Sequence, residues 1–232
     1  FFTCEEELLL ARTTFPNYRP KKEINVGYGI QPPPSYTANM KKAFVAKVPK
    51  WNGKPYLLFL SRIHPKKGVD LLIKAYLKLE KELGNIPQLI IAGPGWDNSY
   101  GLVMQQLAAA SSNIMFPGML SGDAKWGAFY ESEVFVLPSH QENFGIAVVE
   151  SLACGKPVLI SDKVNIWREI KEGSGGIVRP DTFLGTENLL REWLQLEAKQ
   201  KQDFANSAIG VYKKLYSIKM AAQAFSSSLL NN

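Results

Sequence analysis

Residues 134–153 read Val134-Phe-Val-Leu-Pro-Ser-His-Gln-Glu142-Asn-Phe-Gly-Ile-Ala-Val-Val-Glu150-Ser-Leu-Ala153. The first four form an apolar run of strand length, and Pro138 begins a loop. Counting from Phe144, apolar or small side chains recur at Ala147, Val148, Ser151 and Leu152, the i, i+3, i+4 stripe of a helix laid on a sheet. Ile146 and Val149 fall off that stripe, so the spacing predicts a helix that is apolar nearly all round and embedded. A carboxylate there is expensive unless something pairs with it; for Glu150 the expected partner is a ligand hydroxyl. Glu142 lies in the loop between strand and helix, with seven residues separating it from Glu150. Open parallel sheets bind ligands outside the carboxyl ends of their strands, which places Glu142 at the ligand edge. Asn143, Phe144 and Gly145 offer backbone N–H groups at the helix N-terminus, where the dipole favours phosphate. Two acids across that boundary point to a sugar site. The competing reading is a capping acid followed by a solvated helix acid.

The same unit repeats along the chain. Strands are expected at Tyr56–Leu60, Gln88–Ala92, Ile114–Phe116, Val134–Leu137, Val158–Ile160 and Gly176–Val178. Between them lie helical patterns over Val69–Leu83, about Tyr100–Ala110, Ser121–Tyr130, up to Ala153, and near Ile166–Ile170. Six short strands alternating with helices predict an α/β fold: a doubly wound six-stranded parallel sheet with helices on both faces. From Asp181, read as an N-cap, the chain is helical, with Leu189, Leu190, Trp193, Leu194 and Leu196 forming an apolar face. Residues 1–50 read as less regular, and Pro32-Pro33-Pro34 as a stiff turn or linker.

Composition bounds the function. A chain of 232 residues, 46% hydrophobic and 21% charged, suits one large globular domain with or without an appendage. No apolar run approaches the roughly 20 residues of a membrane span, and three consecutive glutamates near the start are unlike a secretory leader, so a cytoplasmic location is expected. Cys4 and Cys154 have neither metal-ligand spacing nor a disulfide framework; Cys154 reads as a small hydrophobe. Between Glu23 and Asp70 there is no acid, while Lys41, Lys42, Lys47, Lys50, Lys54, Arg62, Lys66 and Lys67 supply eight positive charges. Such a stretch admits nucleic acid, an anionic membrane surface or a phosphorylated small molecule. The chain lacks the clustered aromatics of a single-strand binder, which argues against nucleic acid. Lys41 to Lys54 read as a solvated basic edge.

Arg62 and Lys67 read differently, because Ser61-Arg-Ile-His-Pro-Lys-Lys67-Gly68 leaves one strand and opens the next helix, at the same edge as Glu142. Arg presents a planar fork to two phosphate oxygens and Lys a mobile point charge, so together they suit a diphosphate. His64 receives no role. Gly93-Pro-Gly95-Trp-Asp-Asn98 fails as a dinucleotide fingerprint: Asn98 occupies the third glycine position and no acid lies about 20 residues on. A tight turn at Gly93 near ligand phosphates is compatible with it, as is a plain connection. Gly118, Met119 and Leu120, after the next strand, lie on the same edge and could hold a nucleobase through backbone groups.

Ser61-Arg62-x4-Lys67-Gly68, Ile91-Ala-Gly93-Pro-Gly95, Phe116-Pro-Gly118, Leu137-Pro-Ser139, Glu142-Asn-Phe-Gly145 and Glu150-Ser-Leu-Ala-Cys-Gly-Lys-Pro-Val158 occur in the order found in retaining glycosyltransferases of family 4. Residues 20–225 resemble their C-terminal, nucleotide-sugar-binding Rossmann-like domain, the C-terminal half of a GT-B enzyme. The resemblance implies that Arg62 and Lys67 hold the donor diphosphate, Glu142 contacts the donor sugar and Glu150, which closes the Glu-x7-Glu motif, the nucleotide ribose. The backbone at Asn143, Phe144 and Gly145 then approaches sugar and phosphate. It implies a UDP-sugar donor, UDP-glucose or a related UDP-hexose, and a glycan or lipid-linked acceptor in polysaccharide synthesis. No Asp-x-Asp triplet occurs, which fits a site without a metal or other cofactor. By the same resemblance, residues 1–30 are a remnant of an N-terminal acceptor domain and its linker, and residues 31–232 are the donor domain. Helices near Tyr216 to Phe225 would then pack on the missing domain, and the enzyme would work in the cytoplasm, in contact with an anionic membrane face where the acceptor is lipid-linked. A nucleotide-sugar epimerase of similar fold and a non-catalytic anion-binding module stay open as alternatives.

Overall fold

The computed structural model describes residues 1–230. Among them, six strands form one parallel sheet: β1 (Leu57–Leu60), β2 (Leu89–Ala92), β3 (Ile114–Gly118), β4 (Val134–Leu137), β5 (Val158–Ser161) and β6 (Gly176–Arg179). The helices are α1 (Glu5–Thr14), α2 (Ala38–Lys47), α3 (Val69–Leu83), α4 (Ser99–Ala108), α5 (Gly122–Glu131), α6 (Ile146–Ala153), α7 (Trp167–Glu172), α8 (Phe183–Gln195), α9 (Ala198–Val211) and α10 (Ile218–Leu230). Crossover helices cover both faces of a parallel sheet, which is why β2, β4 and β5 are buried at every residue. This is the predicted doubly wound, Rossmann-like sheet. Its order is β3-β2-β1-β4-β5-β6, so the winding reverses between β1 and β4. The loops leaving those two adjacent strands diverge to opposite faces, and a crevice opens between them. No helix among the described residues is long and apolar enough to cross a membrane.

Four expectations need correction. Residues 38–47, read as irregular, form α2, and residues 5–14 form α1. The pattern is faint because α2 buries only Met40 and Phe44 on an otherwise lysine-rich helix. Phe44 is completely buried, stacked on Tyr56 and beside Trp51, and the helix lies against α5. The N-cap of α8 is Thr182, whose hydroxyl accepts the Gly185 N–H at 3.0 Å; Asp181, one residue earlier, instead meets His140 Nδ1 at 3.0 Å. Helix α6 is not embedded on every side, since Val149 is buried but Ile146 is 53% exposed.

Residues 1–30 lie along α7 and α10. Phe2 bridges to Asn25 and Ile30 to Ser217, while Arg168 pairs with Glu6 at 2.7 Å. Glu169 is half-buried under this segment, its Oε2 has no hydrogen-bond partner among the described residues, and desolvation raises its pKa. Cys4 and Cys154 are both buried free thiols. Burial pushes Cys154 up to about 12, in keeping with an inert packing role.

Two stability measurements follow. A Cβ at Gly127 would lie 2.2 Å from the Met40 carbonyl oxygen, so Gly127→Ala must part α2 from α5. Urea unfolding should show a loss of about 1–3 kcal/mol. Because the folded-state pKa of Glu169 stands above its unfolded value, its native form is favoured while protonated, and stability falls as pH rises from the ordinary carboxylate range through the raised pKa. Glu169→Gln should remove that fall and be the more stable protein at pH 7 in thermal melts across pH 4–8.

Candidate functional site

The loop after β1 is tied by local hydrogen bonds. Pro65 opens a 3-10 turn over Pro65–Lys67, and the uncommitted His64 proves to be its cap, with Nδ1 accepting the Lys66 N–H at 3.1 Å. Gly68 closes the turn at φ +66, and a Cβ on it would sit 2.1 Å from the Pro138 carbonyl oxygen. The loops after β1 and β4 therefore touch backbone to backbone at this glycine. Ser139 Oγ and the His140 N–H both donate to the Lys66 carbonyl, each at 2.8 Å, and Ser161 Oγ donates to the Ser139 carbonyl.

This stitching brings Lys67 and Glu142 together. Lys67 Nζ lies 2.5 Å from Glu142 Oε2 and donates to the Gln141 carbonyl at 3.1 Å, with its own side chain only 8% exposed. Glu142 is fixed from the other side as well: its N–H donates to the Lys163 carbonyl and its carbonyl accepts from the Asn165 N–H, both at 3.0 Å. Gly145, at φ +78, turns the chain into α6, and Asn143 Oδ1 accepts from Asn165 Nδ2 at 3.1 Å. The Phe144 ring sits between Tyr28, at 4.8 Å, and Tyr216, at 5.7 Å.

On α6, Glu150 already has a partner within the protein. Its Oε1 meets Lys125 Nζ of α5 at 2.7 Å, and that ammonium also stands 4.2 Å from the centre of the Trp126 ring. Lys125 went unnoticed in the sequence. The available signal was its place in the first turn of a helix that starts just beyond the Gly118–Leu120 rim.

A cleft of about 600 Å³ joins these groups, and that volume is typical of a small-molecule site. Arg62, Lys67, Gly93, Met119, Leu120, Lys125, Glu142, Asn143, Phe144, Gly145 and Glu150 all line it. Gly118 does not: at φ +77 it turns against Trp96, and its carbonyl accepts the Gly93 N–H at 2.9 Å. Gly93 itself has φ +146, and a Cβ there would lie 1.8 Å from the Ser61 carbonyl oxygen, so its backbone can run tight beneath the cleft. Arg62 is exposed and, among the described residues, has no hydrogen-bond, ion-pair or ring partner. A separate cavity of about 410 Å³, lined by Lys47, Lys50, Ser111 and Phe116 among others, shares no residue with the cleft.

The geometry thus offers two lysine-paired carboxylates, a free guanidinium and a helix N-terminus around one crevice. A family model described as "Glycosyl transferases group 1" matches residues 40–210. The chain belongs to this family. This group 1 glycosyltransferase chain is 27% identical over 183 residues to an uncharacterized glycosyltransferase of Methanocaldococcus jannaschii, a match covering 75% of the chain and 46% of that protein. It is 25% identical over 184 residues to the lipopolysaccharide 1,2-N-acetylglucosaminetransferase of Salmonella typhimurium, covering 75% of the chain and 48% of that protein. Its fold resembles that of HepE from Anabaena, solved in complex with UDP and glucose, with a TM-score of 0.69 at 16% identity over 85% of the chain and 53% of that structure. The chain spans about half the length of the curated relatives it matches.

The contact at Gly68 predicts a specific stability defect. Gly68→Ala combines an unfavourable φ with a collision against Pro138, whereas Gly53, at φ +78, has nothing within 4 Å of a Cβ. In thermal unfolding Gly53→Ala should cost about 1–2 kcal/mol, and Gly68→Ala about 1–3 kcal/mol more.

Proposed function

We propose that this chain is the donor half of a retaining hexosyltransferase: it binds a nucleoside-diphosphate sugar, UDP-glucose or a related UDP-hexose, for transfer to a glycan or lipid-linked acceptor. The observation that carries this reading is the unpartnered Arg62 guanidinium in the same cleft as the Lys67–Glu142 and Lys125–Glu150 pairs. A group that holds no partner inside the protein is available to an anion from outside, and its planar fork matches two phosphate oxygens. The UDP and glucose bound by the Anabaena neighbour support a UDP-hexose donor, and the lipopolysaccharide substrate in the name of the Salmonella relative supports a lipid-linked glycan acceptor. An enzyme acting on such an acceptor would sit in the cytoplasm against an anionic membrane face.

Departure of a nucleoside diphosphate builds negative charge on the phosphates and cationic character on the sugar ring. The catalyst needs cations behind the leaving group and fixed contacts on the sugar. Arg62 and Lys67 take the diphosphate, assisted by the N–H groups of Asn143, Phe144 and Gly145 at the start of α6. These protein groups supply the charge without a metal or other cofactor. Glu142 accepts hydroxyls of the donor sugar, and Glu150 those of the ribose. Met119 and Leu120 face the base, while Gly93 lets the backbone pass close to the phosphates. The acceptor is assigned to a further domain, since the chain spans about half of its relatives, with residues 1–30 as the connection and residues 31–232 as the donor domain.

Calorimetric titration of the chain with UDP, GDP, ADP and their glucose conjugates tests this directly. UDP-glucose should bind, and Arg62→Ala or Lys67→Ala should weaken it by about 10- to 150-fold, the worth of a hydrogen bond to a charged group. Glu142→Ala should leave UDP affinity within about threefold and erase any preference for UDP-glucose over UDP. Unchanged binding in both cation variants would sink the assignment.

A further inference from the structure

The Lys125–Glu150 pair carries a consequence for the nucleotide that none of the motifs assigns. Glu150 sits on α6 with its side chain only 14% exposed, and Lys125 reaches it from α5, 25 residues away in sequence. The ammonium is held on two sides, by Glu150 Oε1 at 2.7 Å and by the face of Trp126 at 4.2 Å. A cation gripped in this way has little freedom to swing into the cleft. Among the described residues the other carboxylate oxygen, Oε2, has no hydrogen-bond or ion-pair partner, yet Glu150 and Lys125 both line the cleft. One oxygen is therefore pinned and the other left to an incoming donor.

Resting on the donor reading above, we propose that Lys125 is a positioning residue that fixes the Glu150 carboxylate for the ribose hydroxyls and thereby sets selectivity for ribose over deoxyribose. A carboxylate that accepts from a hydroxyl in a fixed geometry discriminates against the analogue lacking that hydroxyl, because the site is left with an unfilled acceptor. Without Lys125 the half-buried carboxylate loses its anchor and turns toward whatever water or cation is nearest. Affinity for the hydroxyl and for its absence then converge.

The test compares, on the whole chain, whichever of UDP, GDP and ADP binds tightest with its 2′-deoxy and 3′-deoxy forms, and with pyrophosphate. The wild-type protein should prefer the ribonucleotide over at least one deoxy form by about tenfold or more, as one hydrogen bond to a charged group allows. Glu150→Gln and Lys125→Met should each reduce that ratio to below about threefold, and Lys125→Arg, which keeps a cation, should restore most of it. Lys125→Gln serves in place of Lys125→Met if the latter does not fold. Equal losses for ribonucleotide, deoxynucleotide and pyrophosphate in Lys125→Met would overturn the proposal, because Lys125 would then act only as a charge. An unaltered ratio would overturn it too. If no nucleoside diphosphate binds the wild-type chain, the donor reading itself falls and takes this inference with it; if one binds and only the ratio fails to respond, the donor reading stands alone.

Discussion

The Lys67–Glu142 ion pair is the contact on which the site depends, and it exists only because two loops from neighbouring strands are fused at their backbones. A lysine with a side chain only 8% exposed loses most of its hydration, and the carboxylate beside it offsets that loss while gaining the same pairing. Neither loop could supply both. The strand reversal between β1 and β4 sends the two loops to opposite sides of the sheet, and Gly68 then lets them meet again at Pro138. Removing one partner would strand a charge in a poorly solvated crevice, while removing the glycine would pull the partners apart. Topology, a single left-handed residue and an ion pair are in this way one constraint seen at three scales.

The positions of the strands and of the two site loops were legible because the signals are local. Short apolar runs mark the strands, with glycine or proline following directly at Ala92, Phe116 and Leu137, and a helical stripe such as that of Val69, Leu72, Ile73, Tyr76 and Leu79 needs only its own fifteen residues to be read. Helix α2 was not legible: two buried side chains on a basic helix do not make a stripe, and its place is decided by Phe44 fitting against Tyr56 and Trp51. The one-residue error at the start of α8 has a similar cause, since Asp181 and Thr182 are both good caps and only the His140 contact takes the aspartate away. Gly118 was expected in the site from its place after β3, but its carbonyl is used to hold Gly93, and the turn it makes hands the cleft wall to Met119 and Leu120.

What the sequence could not reveal is who neutralises whom. Glu150 was correctly recognised as a charge in need of a partner, yet the partner was sought in a ligand because nothing within α6 could serve. Lys125 answers from the preceding helix, a pairing that depends on how α5 and α6 are placed around β4. Partners of buried charges are long-range facts, and a linear pattern carries only the demand for them.

The charges of the cleft also decide what it can receive. Arg62, Lys67 and Lys125 oppose Glu142 and Glu150, leaving one net positive charge before any ligand enters. A sugar-linked diphosphate carries about two negative charges, more than that surplus can offset. Part of the remainder falls to the start of α6, where a helix terminus contributes about half a positive charge through its free N–H groups. On the proposed reading, an anion seated there shares Lys67 with Glu142, so binding loosens that ion pair. The freed carboxylate then needs a new donor, and a sugar hydroxyl at the end of the diphosphate can provide it. A neutral sugar alone brings no charge to release the pair, and a diphosphate alone leaves Glu142 unsatisfied. On the proposed donor reading, a molecule that joins diphosphate and sugar satisfies both ends.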